Sequence, residues 1–430
     1  MNHPPYSHAY SSRKHNLSIR WIPAIYSIAA IIAGLTFPPI EVHFFPGLVS
    51  RVTVGQATAI YSSIASGMIA LTGIVFSLAF VMIQFSASTY TPRLVVWMAR
   101  NPVISHALGI FTATFLYALA ALAWVDRNRS GNVPIISLVV VGVLLLASID
   151  MFIRLIHLIG LLQVNQMLIF TGDRGREAIE TTYPLRESGV LAKEPVGFGG
   201  TTCTQTLIHS GRPRSLQAVD TTGLVKLASL SGGTIEMAVA VGDTLIEMMP
   251  VLRVYGGRQP IEEKKLRDSI ELGDERTFEQ DPKYAIRLLV DIAIRALSPA
   301  INDPTTAVQA LDQIEDLLTR LGQRHLDIGT YRDNKGEARL VVPFPAWEDL
   351  VLLAFDEICF CGASSVQVIR RVNALIADLI PRVPEERRPT LLHWQTRVRA
   401  TIARSFATDE EKVDASKPDR QGLGVPRQNS

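Results

Sequence analysis

Asp150, Arg154 and His157 stand four and three residues apart inside a segment that is otherwise almost wholly apolar. On a helix they share one face. Ionisable groups within a membrane-crossing helix are costly, and they mark ion or proton paths or else pair near the headgroups. A helix beginning at Val133 could complete its crossing near Ile153, which would put Arg154 at the membrane edge, paired with Asp150. Arg93, directly after Pro92, falls at another segment end, where a guanidinium could hold a lipid phosphate or a neighbouring domain. Arg93, Asp150 and Arg154 are therefore the candidates for coupling membrane to cytoplasm.

Ser66, Ala70, Gly73, Ser77 and Gln84 follow one another at intervals of three, four or seven, so they share a helical face. Small side chains let a second helix come close, whereas Ser and Gln could line a polar path. Helix packing and pore lining both stay open. Farther on, Asn302, Asp303, Thr305 and Thr306 surround Pro304. Asp303 suits the N-cap of a helix and Pro304 its first position. The remaining polar groups are a candidate contact for a ligand or a subunit. Cys359-Phe360-Cys361 could offer sulfur to a soft metal, but one short pair without a nearby histidine is half a site. A buried free thiol near a helix end fits better. His209, His325 and His393 show no ligand spacing, and the chain has no phosphate loop, nucleophile elbow or H-E-x-x-H sequence. No catalytic residue, metal or cofactor is expected.

The elements that must position these residues begin with four apolar stretches at 21–40, 57–88, 105–125 and 133–163, read as transmembrane helices after a polar tail at 1–20. The second would reach about 48 Å as a helix, against a hydrocarbon core of about 30 Å. Arg13, Lys14 and Arg20 in the tail, with Arg93 and Arg100 in the second loop, outweigh Arg51 in the first loop and Arg127 and Arg129 beside Asp126 in the third. This bias places both termini in the cytoplasm of a bacterial inner-membrane protein. Hydrophobic residues make up 48% of the 430, and the excess lies in the first third. All three cysteines follow the last span, which suits a reducing compartment. A net charge of +2 gives no case for nucleic acid. The partners expected are the lipid bilayer and further copies of the chain.

Residues 164–189 extend as a connecting helix, weakened by Gly172 and Gly175. Within 190–260, alternation over 204–209, 214–219 and 234–241, with a helical insert at 222–230, predicts a small β-sandwich or barrel-like module. From 261 to 406 helical periodicity returns at 276–297, 304–321, 347–360, 364–380 and 385–406. A hairpin over 328–342 interrupts it, turned by Asp333-Asn334-Lys335-Gly336. Residues 407–430, rich in charge, proline and glycine, are expected to be disordered. The fold class is thus a four-helix membrane protein with a C-terminal cytoplasmic α+β region.

Three blocks carry a family resemblance. The first runs from Phe76-Ser77-Leu78 through Gln84 to Thr91-Pro92-Arg93-Leu94, followed by Leu108-Gly109-Ile110-Phe111. The second ends in Val241-Gly242-Asp243-Thr244-Leu245. The third comprises Arg276-Thr277, Gln280-Asp281-Pro282 and Ser298-Pro299-Ala300-Ile301-Asn302-Asp303-Pro304-Thr305-Thr306. Together they resemble the predicted bacterial membrane proteins of domain-of-unknown-function family 2254. The resemblance implies an integral inner-membrane protein and supplies no activity. The second block is also similar to the lipoyl or biotinyl carrier sandwich. Met249 stands where that fold would have glycine, however, and no lysine occupies residues 247–250. The functional expectation is a homo-oligomeric, channel-like or transport-related protein gated by its cytoplasmic domain. The alternative is a membrane-anchored sensor or scaffold whose cytoplasmic domain binds a ligand or partner.

Overall fold

The computed structural model describes residues 21–44, 52–89, 102–125, 133–160, 164–186 and 202–424. They form two compact units that divide between residues 163 and 164. Arg93 and the tail at 1–20 lie outside the described residues.

The N-terminal unit contains α1 (Ile22–Phe44), α2 (Val54–Thr89), α3 (Pro102–Leu122) and α4 (Ile135–Gly160). Each is long and apolar enough to cross a membrane. Its hub is α3, which packs against the other three helices. A hub helix needs small residues on several faces, and α3 has Ala107, Gly109, Ala113, Ala118 and Ala121 buried around its circumference. A Cβ on Gly109 would meet the Tyr26 ring at 2.3 Å, and one on Gly34 of α1 would meet the Ala120 Cβ at 2.7 Å. Close backbone approach, the usual basis of helix association in lipid, thus centres on α3. Among its described side chains, the longer α2 buries one face, through Ala57, Tyr61, Ala65, Met68 and Val75. Between α3 and α4, the buried hydroxyls of Thr114 and Ser148 hydrogen-bond at 2.9 Å.

The first span continues through Pro38 and Pro39 to Phe44, beyond the expected end at residue 40. Each proline removes a backbone donor. The last turn is held from outside, because the buried Glu41 carboxylate accepts from Ile136 N at 2.7 Å, Ser137 N at 3.0 Å and Ser137 Oγ at 3.3 Å. Glu41 therefore satisfies two of the orphan donors that open α4.

The C-terminal unit begins with α5 (Val164–Thr182) and continues β1 (Cys203–Ile208), β2 (Arg214–Val219), α6 (Thr221–Ser231), β3 (Gly233–Met237), β4 (Thr244–Leu245), β5 (Pro250–Gly256), α7 (Glu263–Asp268) and β6 (Ile270–Gly273). Then come α8 (Pro282–Ala296), α9 (Pro304–Gly322), β7 (Thr330–Arg332), β8 (Ala338–Val341), α10 (Trp347–Cys361), α11 (Val366–Leu379), α12 (Arg388–Ser405) and α13 (Asp409–Ser416). The described strands make two open sheets, ordered β1-β5-β3-β8-β7 and β4-β2-β6, and close no barrel. The inward residues Leu207, Leu216, Ile235, Leu252, Val254 and Leu340 share one core with Leu224 of α6.

The hairpin β7–β8, expected within a helical domain, joins the β module instead. β8 pairs with β3 in parallel, with Ile235 opposite Leu340. A parallel partner about a hundred residues away leaves no local sign in the sequence. Residues 407–424 also depart from the disorder expected there. Thr408 caps α13 in a capping box with Glu411, Ala415 is buried, and Arg420 pairs with Asp378 at 2.6 Å. Composition argued for disorder, but these contacts hold the segment to α11.

Gly172 and Gly175 of α5 admit neighbours. A Cβ at Gly175 would lie 2.8 Å from Ala285 Cβ of α8 and Leu317 Cδ1 of α9, and one at Gly172 would lie 2.1 Å from Gln313 Oε1. The glycines lower helix propensity by about 1 kcal/mol each, and this packing offsets that cost.

Candidate functional site

The N-terminus of α8 brings two of the motif blocks together. Tight turning at Val241-Gly242-Asp243 requires φ +93° at Gly242, a conformation glycine adopts without strain. Asp243 fixes the turn by accepting from Ala240 N at 2.8 Å, while Gly242 N donates to Leu216 O at 2.8 Å. A side chain at Gly242 would run into Asp281, its Cβ 2.1 Å from Oδ2. Gln280 is docked from the other side, its Oε1 accepting from Val219 N at 3.0 Å. The glycine turn, β2 and the start of α8 are thus fixed around one buried carboxylate.

Asp281 has a side chain only 1% exposed. Its Oδ2 accepts from Arg276 Nε at 2.8 Å and Nη2 at 2.6 Å. Arg276 in turn lies over the Tyr284 ring, 5.2 Å from its centroid. Oδ1 is buried and has no hydrogen-bond partner among the described residues. Although Asp281 is the N-cap of α8, its side chain makes no cap hydrogen bond. Burial pushes the Asp281 carboxyl above its ordinary value, against the pull of the Arg276 guanidinium.

A narrow cleft opens beside this carboxylate, lined by Asp281, Lys283, Val241, Val342 and Phe344 among others. Lys283 is half-buried, and its charge acts on the Asp281 carboxylate in the same direction as that of Arg276. The arrangement can hold a polar group by charge and hydrogen bonding. It contains no nucleophile paired with a base, and no cluster of three or more metal-ligating side chains exists among the described residues.

The structure places the sequence-derived candidates elsewhere. Ser66, Ala70, Gly73, Ser77 and Gln84 are all exposed, on the face of α2 opposite its buried residues. They pack against no helix among the described residues; a Cβ on Gly73 would meet nothing within 4 Å. Asp150 and Arg154 pair at 2.8 Å on the exposed side of α4, and His157 is exposed beside them. Asp303 caps α9, its Oδ1 accepting from Thr306 N at 3.1 Å and its Oδ2 from the Thr306 hydroxyl at 2.6 Å. Asn302 takes a left-handed φ of 49° to enter that cap, and Thr305 is exposed. The carboxylate of Asp303 is thereby occupied by its own helix. This corner lies at the far end of α8 from Asp281, roughly 20 Å away along the helix axis.

Asp281, Lys283 and Glu41 are the residues that reasoning from sequence passed over. Asp281-Pro282 repeats the cap-and-proline signature of Asp303-Pro304, and it sits in a quoted motif block. Neither signal says that a glycine turn about forty residues earlier closes over its carboxylate. Glu41 stands just past an apparent span end, and nothing local points to the helix start it reaches.

Four apolar spans followed by an α+β unit define a multi-span membrane protein. The chain belongs to the family described as "Predicted membrane protein (DUF2254)", whose sequence model matches residues 16–378. Among similar proteins is the "Uncharacterized protein Rv1290c" of Mycobacterium tuberculosis strain H37Rv, 27% identical over 373 residues, which cover 84% of this chain and 71% of the relative. "Uncharacterized protein Mb1321c" of Mycobacterium bovis matches with the same identity and coverage. No solved structure matches the chain.

Proposed function

We propose that this protein is a membrane-anchored sensor: four spans hold a C-terminal unit that binds a small ligand in the Asp281 cleft. One observation carries the reading. A carboxylate that is almost wholly buried keeps one oxygen without a hydrogen-bond partner among the described residues, on a residue that lines a cleft built from two motif blocks. An unsatisfied buried polar atom costs about 1–3 kcal/mol, and a ligand that satisfies it recovers that cost. The charge bias of the loops supports placing the C-terminal unit in the cytoplasm of a bacterial inner-membrane protein. Absence of a nucleophile–base pair at the cleft favours binding over catalysis. The test is a broad metabolite screen by thermal shift on the full-length protein in detergent, with Asp281→Asn in parallel. A saturable stabilisation lost in the variant supports the reading. An empty screen sinks it.

A second reading, an oligomeric pore, is favoured by the exposure of Ser66 and Ser77 on a candidate span and of Gln84 three residues beyond its end. Polar groups facing lipid are unfavourable, so a second copy or a water path would cover them. Ion flux in liposomes that Gln84→Leu abolishes would support it, and impermeable liposomes would refute it.

A further inference from the structure

Pairings along the helices of the C-terminal unit bring several of their ends together. α5 and α9 run in the same direction: a Cβ on Gly175 would meet Leu317, Arg176 pairs with Asp316 at 2.7 Å, and Glu180 pairs with Arg320 at 2.6 Å. The start of α5 therefore lies beside the start of α9 and the Ser298–Asn302 turn that precedes it. α10 ends there too, because a Cβ on Gly362 would stand 2.7 Å from Val368 of α11 and 3.3 Å from Leu297. The segment after α13 folds over the first turn of α11, where Gln367 Nε2 donates to Gln421 O at 3.5 Å. Only residues 161–163 separate the start of α5 from α4, the last of the four apolar helices. Four peptide steps reach at most about 14 Å, so the covalent chain ties this end of the unit to the end of a membrane span.

Large apolar side chains are exposed at the same end. Phe360 is 84% exposed, Leu423 59% and Ile301 45%. Ordered backbone presents each of them. Ile301 N and Asn302 N both donate to Ser298 O, at 3.0 and 2.9 Å. Phe360 departs from the inward face of α10, which carries Leu350, Ala354, Phe355 and Ile358. Leu423 stands between Gly422 and Gly424, whose φ angles are 71° and 74°. α12 runs in the direction of α10, with Trp347 against Arg387 and Asp356 against Arg397, so its last turn reaches this end as well. That turn exposes Arg404, and Asp409 is exposed at the start of α13, so both signs of charge are present. A lone exposed apolar residue is ordinary. Several at the end of a unit that is tethered to a span fit the boundary between headgroups and acyl chains.

We propose that this end of the C-terminal unit rests on the lipid bilayer, with Ile301, Phe360 and Leu423 inserted at the headgroup boundary. The contact is apolar, so it holds on zwitterionic and anionic lipid alike and salt does not release it. The start of α8, which carries Asp281, is then the end of that helix away from the lipid.

The experiment uses the full-length protein in nanodiscs of phosphatidylcholine, and again with phosphatidylglycerol added. In a Cys203→Ser, Cys361→Ser background, a nitroxide label is placed by Ile301→Cys, Phe360→Cys or Leu423→Cys. Leu230→Cys, 77% exposed on α6 of the β module, is the aqueous control. Collision rates with oxygen, which concentrates in lipid, and with a nickel chelate, which stays in water, are read by electron paramagnetic resonance. The oxygen-to-nickel ratio is expected to be several-fold higher at 301, 360 and 423 than at 230, in both lipids and at low and high salt. A label at 301 or 360 as accessible to nickel as the one at 230 overturns the proposal. Shielding of either from oxygen and nickel together overturns it in favour of a protein contact, such as a second copy of the chain. A raised ratio that needs phosphatidylglycerol and vanishes in salt overturns the apolar contact in favour of an electrostatic one.

Discussion

Replacing Arg276 with methionine tests the physical core of the candidate site. The substitution keeps an aliphatic stem over Tyr284 and removes both hydrogen bonds to Asp281 Oδ2. Breaking a buried ion pair by removing one partner typically costs about 3–5 kcal/mol, because the other charge is left buried and uncompensated. Arg276 keeps a quarter of its side chain in solvent, so screening places the expected loss near the low end, about 3 kcal/mol. For a unit of this size that corresponds to a fall of roughly 6–12 °C in melting temperature. The loss has a sign in pH. Burial already raises the Asp281 carboxyl, and removing the guanidinium raises it further. A carboxyl whose folded pKa lies above its unfolded one stabilises fully below the unfolded pKa, and that contribution disappears as pH rises through the folded value. The deficit of Arg276→Met relative to wild type is therefore largest at neutral pH and shrinks as pH falls toward the ordinary carboxylate range. Adding Asp281→Asn to Arg276→Met should recover part of the loss at neutral pH, since no charge is then buried. The assay is thermal unfolding of the full-length protein in detergent across pH 5–8 (values chosen around about pH 6.5). A deficit below about 1 kcal/mol, or one that does not change with pH, would refute the account of Asp281 as a buried, Arg-compensated carboxylate.

Other substitutions read other contacts. Gly175→Val should destabilise the C-terminal unit by about 1–3 kcal/mol through overpacking against Ala285 and Leu317, measured as a lowered melting temperature. Gly73→Val should leave the stability of the single chain unchanged, because nothing lies within 4 Å of the new side chain; loss of cross-linked oligomers in this variant would mark the exposed α2 face as a subunit contact. Glu41→Leu should cost about 1.5–3 kcal/mol by stripping charge-assisted bonds from two backbone N–H groups at the start of α4, visible as earlier unfolding of the membrane unit. Thiol labelling at pH 8 (chosen near a free cysteine pKa of about 8.5) should modify Cys203 fastest and Cys361 next. Cys359, whose pKa burial pushes up to about 12, should react only after denaturation.

Much of the local architecture was legible. The apolar runs predicted the four membrane helices because a span must be apolar over its whole length. Amphipathic spacing predicted α8 and α9, whose Leu288, Leu289, Ile292, Leu311, Ile314 and Leu318 are fully or almost fully buried. Asp303-Pro304 predicted a helix start, and the cap hydrogen bond to Thr306 N is present. The candidate site was legible only as motif text. Gln280-Asp281-Pro282 and Val241-Gly242-Asp243 were visible as separate blocks, but the contact between Gly242 and the Asp281 carboxylate depends on how β2, β4 and α8 pack.

What the sequence determined by itself, then, is everything governed by neighbours along the chain: span length, helix faces, caps, turns, and the buried, inert setting of Cys359. What only the tertiary structure decided are the relations between distant segments. The hub is α3, because a hub needs small residues on several faces and the stripe on α2 supplies only one. The small-residue face of α2 proved to be exposed, the β7–β8 hairpin joined β3, and residues 407–424 docked on α11. Burial and charge at Asp281 arise in the same way, from a glycine turn, an arginine and a helix start that are separate in sequence and meet only on folding.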